Sequence, residues 1–143
     1  MTGKQTNRKL RPDVDRYGRT QLHYAAAGAL CDEVESLLAA GANVNLQDDN
    51  GWSPLHFAAQ AVSPECTLSL IQAGANLSLR DSFGNTALFR AVFASAGNGA
   101  VIQSLLNAGA DPNSKNHHGT SPYDLARTIA NYDVAQFFRD TEK

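Results

Sequence analysis

Long hydrophobic runs are missing from this chain of 143 residues. Its apolar stretches are a handful of residues each, far short of the roughly 20 that a membrane-spanning helix requires. The N-terminal charges are not followed by an apolar run, so no secretory signal is read there. A dominant charge is missing too: 12 Lys and Arg stand against 14 Asp and Glu, a net charge of -2. A protein that binds nucleic acid through an overall basic field is thereby excluded, because phosphate contacts need clustered Lys and Arg. Cysteine is scarce. Cys31 and Cys66 form no CxxC pair and have no histidine at metal-ligand spacing, which predicts two reduced, partly buried thiols in a cytosolic protein. Also absent are a GxxxxGKS/T loop, a GxGxxG after a strand, a GxSxG elbow and an HExxH helix. The reading that follows is a soluble, cytoplasmic, non-catalytic protein without cofactor or metal, of a length suited to one domain.

What the chain does have is a period. Gly18, Gly51 and Gly84 lie 33 residues apart and Gly119 follows at 35; Gly41, Gly74 and Gly109 are spaced 33 and 35. Both series stretch at the same place, so two extra residues are predicted between Gly84 and Gly109, in the small-residue run 95–99. Each unit opens with Asp15, Asp48, Asp81 or Asn116, three before the first glycine. Two residues after that glycine comes Thr20, Ser53, Thr86 or Ser121. Ser and Thr accept hydrogen bonds from the unpaired N–H groups of a helix start, so a first helix is predicted there. Pro54 and Pro122 fit the first helical position, where a missing N–H costs nothing. Small residues such as Ala25, Ala26, Ala58 and Ala59 then allow close helix approach. Val34, Leu37 and Leu38 have the i, i+3, i+4 spacing of a second helix, matched by Thr67, Leu70 and Ile71 and by Ile102, Leu105 and Leu106. Gly41, Gly74 and Gly109 supply its left-handed stop.

The segments Gly18-Arg19-Thr20-Gln21-Leu22-His23-Tyr24-Ala25-Ala26 and Gly51-Trp52-Ser53-Pro54-Leu55-His56-Phe57-Ala58-Ala59, with Leu37-Leu38-Ala39-Ala40-Gly41-Ala42 closing a unit, resemble ankyrin repeats. The resemblance implies an all-α repeat solenoid of four stacked ankyrin repeats, each a helix-turn-helix with a β-hairpin loop. Their spans are about 15–47, 48–80, 81–115 and 116–140, and the last serves as a cap. Residues 1–12, with Lys4, Arg8, Lys9 and Arg11, are expected as a basic flexible tail ahead of the 13–143 repeat domain. The resemblance also implies that His23 and His56 tie their helices to the preceding loop. Phe89 and Arg90 depart from this pattern, as do Tyr123 and Asp124. Asp15, Asp48 and Asp81 are expected to bond hairpin backbone.

In the ankyrin family, partners are bound mostly by hairpin tips and first-helix faces. Carried over to this chain, that implies partner-binding roles for Arg16, Tyr17, Arg19, Asp49, Asn50, Trp52, Ser82, Phe83, Asn85, His117 and His118, with Phe93 after the first helix of the third repeat. Aromatic and arginine side chains dominate interface energies, and Trp52 ranks first. The alternative for each ring is local packing on its own hairpin. From Pro12 to Leu79 eight acids face two bases, which favours a protein partner with a basic surface. The segments 84–92 and 121–134 are similar to small bacterial ankyrin proteins, some of them immunity proteins. That implies neutralisation of a toxin domain by covering its active site, as a monomer or a heterodimer with its partner. The alternatives are a scaffold or regulatory inhibitor of a cellular enzyme, an enzyme using Asp48, Asp49 and His56, and nucleic-acid binding through the basic tail.

Overall fold

The structure, a computed structural model, describes residues 13–129 and 132–141. The predicted basic tail, residues 1–12, lies outside the described residues. Seven α-helices are present among them: α1 (Gln21–Ala27), α2 (Cys31–Ala39), α3 (Pro54–Gln60), α4 (Pro64–Gln72), α5 (Ala87–Ala94), α6 (Ala100–Asn107) and α7 (Pro122–Thr128). A 3-10 helix, Val134–Thr141, follows. Helices α1, α3, α5 and α7 contact one another in sequence as one row, and α2, α4 and α6 form a second row against it. None of these helices is long and apolar enough to cross a membrane.

Local chemistry sets each helix start. Thr20, Ser53, Thr86 and Ser121 accept from the backbone N–H three residues on, as their spacing predicts. Pro54 and Pro122 occupy the first turn. The second helices stop at Gly41, Gly74 and Gly109, with φ of 94°, 94° and 103°. There the amides of Gly41 and Ala42 return to the carbonyls of Leu38 and Leu37.

The core is a seam rather than a closed centre. Leu22, Ala25 and Ala26 of α1, Leu55, Ala58 and Ala59 of α3, and Leu88, Ala91 and Val92 of α5 are fully buried. Val34, Leu70, Ile102 and Leu105 close it from the second row. Alanine at the contacts lets the first helices approach one another. Because each unit touches only its neighbours, the chain is a repeat solenoid.

Three details differ from expectation. The hairpin loops contain no strand among the described residues. Each closes on a single i to i+4 pair, such as Asp48 N–H to Trp52 O at 2.8 Å, too short to extend into a ladder. Phe93 lies in the last turn of α5, not after it: it is the seventh residue of a helix that ends at Ala94. Cys31 and Cys66 are joined as a disulfide, not held as reduced thiols, with Cα atoms 5.0 Å apart. Their separation of 35 residues hid the pairing. Contact between α2 and α4 sets the first turns of the two helices side by side.

The connection between the helices of a pair is 28–30 in the first, 61–63 in the second and 95–99 in the third. The third is longer by the two residues that both glycine series predict.

Candidate functional site: the hairpin tips and the first-helix face

Every hairpin is built on one carboxylate or amide. The Oδ1 of Asp15, Asp48, Asp81 and Asn116 accepts two backbone N–H groups, from the residues two and four further on, at 2.8–3.0 Å. This is the backbone role expected for the aspartates. The second oxygen is used differently in each unit. Asp15 Oδ2 accepts from the Tyr24 hydroxyl, Asp48 Oδ2 from Arg19 Nε at 3.0 Å, and Asp81 Oδ2 from Arg90 at 2.9 and 3.2 Å. Burial acts to raise the Asp15 carboxyl, but the bonds from Tyr24, Arg19 and Tyr17 outweigh it and hold it below its ordinary value. The Tyr24 hydroxyl, donating to that carboxylate, is held above its own.

Adjacent tips are bonded into a ridge. Asp49 N–H donates to Tyr17 O at 2.9 Å, Ser82 N–H to Asn50 O at 2.9 Å and His117 N–H to Phe83 O at 3.0 Å. Gly51 sits so close to the next hairpin that a Cβ would lie 2.7 Å from the Asp81 Cα; its φ of 82° also favours glycine.

The histidines brace this ridge from within. Thr20 N–H donates to His23 Nδ1 at 2.9 Å, which leaves Nε2 to donate to Leu46 O at 2.9 Å and Trp52 O at 3.1 Å. His56 accepts from Ser53 N–H and donates to Asn85 O at 2.9 Å. Each ring therefore ties its helix to the loop residue just before it, as expected, and in addition to the hairpin of the following unit, because the next hairpin stacks over the helix start. Burial holds both imidazoles below their ordinary pKa, against the opposing pull of the carbonyl bonds. In the fourth unit Asp124 takes over the capping part of the histidine's role, bonding Ser121 N–H at 3.1 Å. That amide and the Ser121 hydroxyl lower the Asp124 carboxyl pKa.

The predicted contact residues divide accordingly. Tyr17, Phe83 and Phe93 are 46%, 56% and 62% exposed. Arg16, Asp49, Asn50, Ser82, His117 and His118 are exposed along the ridge. Arg19 is partly buried, with its guanidinium over Tyr17 at 5.1 Å, Phe57 at 5.4 Å and Tyr24 at 5.9 Å. Two residues are drawn inward. Trp52 packs on Phe57, ring centres 4.8 Å apart, under the Arg90 guanidinium at 4.6 Å. Asn85 is buried, and its side-chain oxygen accepts from Asn116 Nδ2 at 2.8 Å. Trp52 is partly exposed, and its ring partners are first-helix residues of its own unit and of the next, not its own hairpin. Of Asp48, Asp49 and His56, named above for the enzyme alternative, Asp48 and His56 have their polar side-chain atoms in these backbone, serine and arginine bonds.

Tyr24, Phe57 and Arg90 were not singled out as contact residues, yet they carry the middle of the face. Each lies six positions past a tip glycine, so a column read down the 33-residue period would have found them. Tyr24 is 47% exposed. In that column Arg90 replaces an aromatic ring, lies over Trp52 and neutralises Asp81 at once. The face is therefore a run of rings and guanidinium groups on a rigid support.

A stack of capped helix pairs, with hairpins bonded edge to edge and polar atoms spent on structure, defines a protein-binding repeat module. The chain belongs to the ankyrin-repeat family: the description "Ankyrin repeats (3 copies)" matches residues 22–116. It is similar to the neurogenic locus notch homolog protein 1 of Xenopus laevis, 35% identical over 128 residues, or 89% of this chain and 5% of that protein. It is also similar to the RelA-associated inhibitor of Mus musculus, 45% identical over 51 residues, or 36% of this chain and 6% of that protein. The chain thus spans only a small part of the length of these relatives.

Proposed function

We propose that this chain is an inhibitory binder, which captures a protein partner on the face made by the hairpin tips and the first-helix row and covers that partner's functional surface. The observation that carries this reading is the exposure of Tyr17, Tyr24, Phe83 and Phe93 on the tips and the first-helix row. Large rings held in water on a rigid scaffold contribute most when a partner buries them. The name of the RelA-associated inhibitor is in keeping with inhibition by such a repeat. In the more specific form of the proposal the partner is a toxin domain and the chain its immunity protein; this rests on the likeness of segments 84–92 and 121–134 to small bacterial ankyrin proteins.

The charge of the partner depends on which row it meets. Asp15 and Asp48 are engaged within the hairpins, whereas Asp32, Glu33, Glu35 and Glu65 lie on α2 and α4. A basic partner surface is favoured where the contact reaches the second-helix row. Against the first-helix row, flat apolar groups and hydrogen-bond acceptors complement the rings and guanidinium groups better.

The test is capture by the purified chain, compared with a variant carrying Tyr17→Ala, Tyr24→Ala, Phe83→Ala and Phe93→Ala. The expected result is a partner retained by the first and lost by the second, with Leu68→Ala on the other row as a neutral control. Equal capture by both would overturn the choice of face. For the toxin form, co-expression with the toxin encoded beside this gene should restore growth and yield a complex; neither appearing would end that form.

A further inference from the structure

We propose that the Cys31–Cys66 disulfide is a reversible thiol–disulfide exchange site that locks the first helix pair onto the second, with low-molecular-weight thiols and disulfides as its reactants. Three observations meet at this bond. It joins two adjacent units through their second helices, α2 and α4. Hydrogen bonds cross the same seam at the hairpin side, Asp49 N–H to Tyr17 O, Arg19 to Asp48 and His23 to Trp52. On the second-helix edge the crossing bonds are between side chain and side chain or backbone, Ser69 Oγ to Glu35 Oε2 at 3.2 Å and Asn76 N–H to Asn45 Oδ1 at 2.7 Å. The disulfide adds a covalent clamp at the first turns of α2 and α4, on an edge otherwise joined by exposed side-chain bonds.

The two sulfurs are also unequal in access. Cys66 is fully buried and Cys31 only half-buried, so the Cys31 end of the bond is the one nearer solvent and the one assigned to attack by an incoming thiolate. Cys31 is the first residue of α2, and Cys66 lies in the first turn of α4.

The exchange balances with thiols alone. A thiolate RS⁻ attacks Cys31 Sγ, the Cys31–Cys66 bond breaks, and Cys66 leaves as a thiolate that takes up a proton. A second RS⁻ attacks the outer sulfur of the mixed disulfide, releasing RSSR and the Cys31 thiolate, which is protonated in turn. Two thiols are oxidised and one protein disulfide is reduced; RSSR drives the reverse reaction.

The first unit is the end of the described stack and has one neighbour in it. Stability in such arrays is a sum of unit and interface contributions, so the end unit is the first to open when an interface is weakened. Reduction selectively loosens residues 13–47, which carry Arg16, Tyr17, Arg19 and Tyr24. Its effect on partner capture rests on the face proposed above; the exchange and the loosening do not.

Hydrogen exchange measured by mass spectrometry on the full chain tests this, after treatment with oxidised glutathione or with dithiothreitol. The intact mass should fall by two hydrogens on oxidation and recover on reduction. Amides of residues 31–39 should exchange about tenfold faster when reduced, while those of 87–107 stay unchanged. Cys31→Ser should exchange as the reduced protein does and ignore dithiothreitol; Cys66→Ala provides a second variant with the same expected behaviour. Two free thiols persisting after oxidised glutathione would overturn the proposal. So would oxidation that leaves exchange at 31–39 unaltered, or reduction that accelerates 87–107 equally. No partner takes part, so failure of the binding reading leaves this result standing.

Discussion

Gly99 lies against the ring of Phe137, so closely that a Cβ at residue 99 would overlap the ring carbons. One residue belongs to the lengthened connection 95–99 and the other to the terminal 3-10 helix. Gly97 meets Tyr132 in the same way, at 2.8 Å from a Cβ position. The two-residue expansion of the third unit and the irregular fourth unit therefore fit each other. Phe138, fully buried beside Tyr123 at 5.7 Å, completes this end of the core.

Replacing Gly99 by alanine should cost about 1–3 kcal/mol of stability, the usual range for overpacking a filled site. The φ of -90° at Gly99 suits alanine, so the loss comes from the ring and not from the backbone. Phe137→Leu in the same chain should recover part of it. Urea unfolding of the two single variants and the double variant reads this directly; additive losses would show that the contact carries no coupling.

Thr67 is fully buried, and its hydroxyl has no hydrogen-bond partner. Val34 holds the corresponding position one period earlier. Thr67→Val keeps the shape and removes an unsatisfied polar group, so it should raise stability by roughly 1 kcal/mol. A midpoint that moves to lower urea would contradict this.

Acid should weaken the fold in two windows. Burial lowers the folded pKa of His23 and His56, so the unfolded chain binds more protons below its own histidine value of 6.5. Stability is then full above about pH 6.5 and falls on acidification, by at most about 1.4 kcal/mol per pH unit per histidine. Asp15 and Asp124 also have lowered folded values. Their contribution is present above the unfolded carboxylate value of 3.8 and is lost as pH falls through the folded values. Denaturant midpoints at a series of pH values should therefore show a shallow decline beginning near neutrality and a second one below about pH 4. His56→Gln should flatten only the first.

Arg90 shields a carboxylate that is completely buried: the Asp81 side chain is 0% exposed and that of Arg90 16%. Arg90→Ala leaves Asp81 with backbone partners alone and should cost about 3 kcal/mol, the lower range for breaking a buried pair. Trp52 is the sole tryptophan, so its emission reports the same change, because the guanidinium lies over its ring. An unaltered spectrum together with unaltered stability would show that Arg90 is dispensable to the face.

Much of this was legible in the chain because it is local and repeated. The caps at Thr20, Ser53, Thr86 and Ser121, the glycine stops and the aspartate-centred hairpins each involve bonds spanning a few residues. Such bonds leave a fixed spacing that four units spell out again and again. The exposure of Tyr17, Phe83 and Phe93 followed from position alone, since a tip or the end of a first helix faces outward.

What crosses from one unit to the next was decided elsewhere. His23 and His56 reach forward because the following hairpin lies over their helices, 29 residues away. Trp52 turns inward because Phe57 and Arg90 offer it a packed slot, and Asn85 because Asn116 meets it. The cysteines occupy different positions in their units, so no period connects them. The sequence by itself determined the repeating unit, since short-range hydrogen bonds and helix periodicity depend on spacing along the chain. Only the tertiary structure decided which rings stay in water and which sulfurs meet, because those outcomes depend on distances set by stacking one unit against another.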